Sequence, residues 1–102
     1  MESTRLLMEL ERHRKMINRE IIDEAVPELT LPLLEPMLRM VAHSRAAYIA
    51  ELVSITNDNQ GGAPSEPQLS RLKAKRLAFE ELVAAVNALE TVVQRDYLTI
   101  GD

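Results

Sequence analysis

A chain of 102 residues, 46% hydrophobic and 27% charged, has the composition of one folded soluble domain, which excludes disorder as its default state. It has no cysteine, so disulfides, thiol catalysis and cysteine-held metals are excluded. A net charge of −4, with two Tyr, one Phe and no Trp, argues against a surface that tracks nucleic acid or stacks its bases.

No apolar run approaches the roughly 18–20 residues of a membrane span. The start, Met1-Glu2-Ser3-Thr4-Arg5, leads into an amphipathic stretch and lacks the apolar region of a secretory signal. The expectation is a cytoplasmic, all-α protein: one helical-bundle domain over 1–102, with three main antiparallel helices at about 3–25, 34–56 and 66–97.

In the first segment, Leu6, Leu7, Leu10, Ile17 and Ile21 fall in one stripe at about 100° per residue. Ser3 or Thr4 suits an N-cap, and Pro27 lies where a helix stops. Prolines 27, 32 and 36 then forbid one long helix, yet leucines alternate among them, so this connection is expected to lie against the bundle. Pro36 suits the first turn of the second helix, starting near 33–35. There Leu34, Leu38, Val41, Tyr48, Leu52 and Ile55 share a stripe that Ala42, Ile49 and Val53 widen to almost half the circumference.

Asn57 to Pro64 is the clearest loop. Ser65-Glu66-Pro67-Gln68 reads as a capping box. In the third helix Leu72, Phe79, Val86 and Val93 recur every seven residues with Leu82 and Leu89 between them, a coiled-coil-like seam. This helix is expected to outrun the other two. Its far end, Leu89, Val92, Val93, Leu98 and Ile100, is the candidate oligomer interface, unless Leu29, Leu31 and Leu33 cover it.

Charges interrupt the stripes. Arg14 projects within the first stripe with His13 on its edge; Arg45 sits on the broad second face; Lys75 and Arg76 lie on or beside the third seam. In an up-down-up bundle with these loops Arg45 faces about residues 12 and 77, so His13, Arg14, Arg45, Lys75 and Arg76 form one expected cationic layer. Like charges are not buried unpaired. Either their stems lie on the core and their heads reach Glu11, Glu80 or Glu81, or a partner's acids meet them, or they hold a small anion such as a carboxylate or phosphate.

His43, flanked on its face by Arg39, Ala47, Ala50 and Ser54, resembles the histidine of phosphotransfer domains, which are similarly small helical bundles. That resemblance implies phosphotransfer through His43. The family's motif has lysine three and glycine four residues after the histidine, where this chain has Ala46 and Ala47. Glu9 and His13 share a face as two metal ligands would, without a third at ligand spacing, so no metal and no cofactor are expected. No catalytic constellation is legible, and the expectation leans away from an enzyme.

The basic clusters, Arg71 to Arg76 and Arg12 to Arg19, are interleaved with acids, so nucleic acid is not the expected partner. The functional expectation is a small cytoplasmic helical protein–protein interaction module, adaptor, regulator or chaperone-like, that self-associates as a homodimer or higher oligomer and engages a protein partner.

Overall fold

The computed structural model describes residues 2–101. They form α1 (Glu2–Ala25), α2 (Leu31–Asn59) and α3 (Glu66–Gln94), an all-α fold in which α2 and α3 pack together. Among the described residues the only pairing of strand type is one isolated parallel bridge, Leu29 with Ile100. The chain divides into two compact units, residues 1–34 with 88–102, and residues 35–87.

The ends of α2 and α3 have local causes. Thr30 caps α2: its carbonyl accepts from the Leu33 and Leu34 amides, and its hydroxyl from Leu33 at 3.4 Å. Helix α2 therefore starts at Leu31, about a turn before the expected start, with Pro32 in the first turn, where a missing N–H costs nothing. Pro36 lies one turn further in and withholds a single bond. At the other end α2 runs three residues past the expected stop, to Asn59, because the first left-handed residues come only at Gln60 (φ 53°) and Gly61 (φ 82°).

The start of α3 is the capping box read from the sequence. The Gln68 amide donates to the Ser65 hydroxyl at 3.3 Å, and the Ser65 amide donates to Gln68 Oε1 at 2.8 Å. Asn59 Nδ2 donates to that same oxygen at 2.7 Å, tying the end of α2 to the start of α3. Further along this hairpin Arg71 pairs with Glu51 at 3.0 Å, and the Tyr48 and Phe79 rings lie 6.2 Å apart. Ile55 is buried here.

Helix α3 stops at Gln94, short of the expected 97, and at 29 residues it equals α2 instead of outrunning it. Asp96 takes φ 59°, its amide bonds to the Val93 carbonyl, and the Tyr97 amide bonds to the Val92 carbonyl. This is a Schellman stop with aspartate in the place glycine usually holds. It turns Tyr97 and Leu98 inward, where both are buried together with Leu29.

The tail beyond it straps the first unit. Leu29 donates to the Thr99 carbonyl at 3.2 Å, and Gly101 donates to the Leu29 carbonyl at 2.7 Å. The Thr99 amide and hydroxyl both donate to Asp23 of α1, at 3.0 and 3.2 Å. Gly101 allows a close approach here, since a Cβ would stand 2.9 Å from Thr30 Cγ2 and 3.0 Å from Glu28 Oε2.

Candidate functional site

The cationic residues singled out by sequence fall in both units. In residues 35–87, the Arg45 guanidinium lies over the Phe79 ring, 5.1 Å from its centroid. Leu38, Val41, Val83 and Val86 line a groove of about 330 Å³ with Arg45 and Asn87. The Arg45 stem thus covers apolar surface while its head rests on an aromatic face. That partner lies two residues from the level at which the loop length places Arg45. Arg76 pairs with Glu80 at 3.4 Å, and Lys75 is exposed.

In the other unit, Arg14 pairs with Glu11, and His13 is exposed. Here the structure builds a site that sequence reasoning missed. An open cleft of about 490 Å³ is lined by Glu11, Arg12, Arg14 and Lys15 of α1, with Arg95 and Tyr97 from the end of α3. Glu11 answers Arg14. Lys15 donates to Asp96 at 3.1 Å, as does Arg19, also at 3.1 Å. The Lys15 ammonium bonded to it, with Arg19 beside it, holds the Asp96 carboxyl below its ordinary value. Arg12 and Arg95 make no side-chain hydrogen bond or ion pair to any described residue.

The spacing of Arg12 and Lys15, three apart on one helix, was legible. The Arg95 amide still bonds to the Thr91 carbonyl one turn back, but that Arg95 shares a cleft with α1 was not legible, because the two segments lie far apart in sequence.

The residues proposed from sequence as an oligomer face are divided. Leu98 is buried within its own unit at 1% exposure, Leu89 and Val92 are half-buried, and Val93 and Ile100 are exposed. Leu29 occupies the connection as a buried residue, whereas Leu31 is 70% exposed. On α1 the whole apolar stripe is open: Leu6, Leu7, Leu10, Ile17 and Ile21 are all exposed, and the helix has no buried residue.

His43 is exposed on α2. Among the described residues no group of three or more His, Asp or Glu side chains could hold a metal ion, and no helix is long and apolar enough to cross a membrane. Comparison with protein-family models, with curated proteins and with solved structures finds no match to this chain.

Proposed function

We propose that this chain is a helical protein–protein interaction module that self-associates and engages a protein partner, in the manner of an adaptor, regulator or chaperone. One observation carries the reading: the apolar stripe of α1 is amphipathic by design yet uncovered, with Leu6 at 66%, Leu7 at 61% and Ile21 at 61% exposure. Contiguous exposed apolar surface marks association sites in soluble proteins. Val93 and Ile100 add to the apolar surface of that unit, while Leu38, Ile49, Leu52 and Val53 remain open on α2.

Apolar residues left open on α1 and α2 are what a module needs if its stable state is an assembly. Sedimentation equilibrium tests this at tens of micromolar. The wild type is expected to sediment as a dimer or larger species, and Leu10→Asp with Ile17→Asp is expected to give a monomer. A wild type that is monomeric at that concentration, with no partner-free association on further concentration, overturns self-association.

A further inference from the structure

We propose that the cleft between α1 and the end of α3 binds a small organic phosphomonoester, with Arg12 and Arg95 as its two primary contacts. The argument starts from charge. Four cationic side chains line the cleft against one acid, in a chain whose net charge is −4. Glu11 neutralises Arg14, and Asp96 draws Lys15 to one side. Two guanidiniums, Arg12 and Arg95, are left with no acidic side chain bonded to them among the described residues.

Each guanidinium offers a planar fork of donors. A monocarboxylate satisfies one fork. A phosphomonoester dianion has three terminal oxygens and two charges, so it satisfies both. The Arg12 and Arg95 side chains come from two different elements, so the anion would bridge α1 to the end of α3. The volume, about 490 Å³, falls within the range of small-molecule sites and exceeds what a bare phosphate fills. Tyr97, only 7% exposed, gives that extra space a ring held in place by the fold. The ligand chemistry is therefore a phosphoryl head with a compact organic group.

The test is isothermal titration of the full chain with phenyl phosphate, inorganic phosphate and benzoate at constant ionic strength. Phenyl phosphate is expected to bind with a Kd of about 1 mM or tighter, inorganic phosphate more weakly, and benzoate weakest. Arg12→Gln and Arg95→Gln should each weaken phenyl phosphate by about tenfold or more, with helicity by circular dichroism unchanged. Glu11→Gln removes the cleft's one acid and should tighten binding.

Several outcomes overturn the proposal. One is no heat and no chemical-shift change with phenyl phosphate at about ten times that concentration. Another is an equal loss from Lys73→Gln or Lys75→Gln, outside the cleft, which would mean general charge attraction. A third is a phosphotyrosine peptide binding more than about tenfold tighter than phenyl phosphate, which would make the site a protein-docking surface.

Discussion

Asp96 performs two tasks that most helix ends divide between residues. Its backbone takes the left-handed conformation that ends α3, and its carboxylate accepts from Lys15 and Arg19 of α1. Aspartate enters this conformation more readily than most side chains. The ion pairs lower its pKa from 3.8, Lys15 first and Arg19 next. A carboxyl whose folded pKa is depressed contributes stability that is fully present above its unfolded pKa. That contribution fades as pH falls through the lower folded value. The acid loss attributable to Asp96 therefore lies below about pH 4, and salt weakens it because the group is exposed. An NMR titration should place its midpoint below 3.8 in the wild type and nearer 3.8 in Lys15→Gln. An unchanged midpoint would mean that the pair does not form in solution. Arg45 offers a second check at this scale. Arg45→Met keeps the stem along the groove and exchanges a cation over Phe79 for a thioether, so thermal unfolding should show a loss below about 1 kcal/mol.

At the scale of elements, the most legible features were those written in consecutive residues. Ser65 and Gln68 sit three apart and cap each other as that spacing dictates. Ser65→Ala should cost about 1 kcal/mol in urea unfolding. Gln68→Ala should cost at least as much, because Asn59 also loses its acceptor. The start of α2 was misplaced by about a turn because two prolines in one stretch compete for the first turn, and only the Thr30 cap decides for Pro32. The C-terminal strap was illegible for a different reason. Its bonds join Leu29 to Thr99 and Asp23 to Thr99, contacts whose sequence separation no periodicity encodes. The same holds for the cleft, which Arg12 of α1 and Arg95 just past α3 line together, a juxtaposition that only the fold supplies. The strap also gives a prediction. Gly101→Val places branches against Thr30 and Glu28, so the Leu29 and Gly101 amides should lose protection from hydrogen exchange while the α2–α3 hairpin keeps its own.

For the whole molecule, the decisive quantity is how little apolar surface the chain hides. Among the described residues only Leu29, Ile55, Tyr97 and Leu98 are buried, although nearly half the sequence is hydrophobic. Hydrophobic burial is the main favourable term against chain entropy, and beyond these four it comes from half-buried side chains such as Leu72, Phe79, Leu82 and Val86, which keeps the margin thin. Helix α1 has no buried residue, and the ties of its side chains to the rest of its unit are polar, Asp23 to Thr99 and Lys15 and Arg19 to Asp96. On the proposed self-association, covering its stripe would add to that margin. Each of its five large side chains, exposed by about half to two thirds, would contribute roughly 1–2 kcal/mol on burial. Two such stripes facing each other gain about 10–20 kcal/mol, against an association cost of about 4–15 kcal/mol. In the proposed assembly the α1 stripe alone would therefore support weak association, and tighter assembly would need the open residues of α2 as well. Folding and association should then be coupled, with stability rising with protein concentration. Between about 1 and 100 μM the melting temperature should climb by several degrees, and the increase should vanish in Leu10→Asp with Ile17→Asp. A melting temperature independent of concentration across that range, with full helicity at the dilute end, would show that each chain stands on its own thin core.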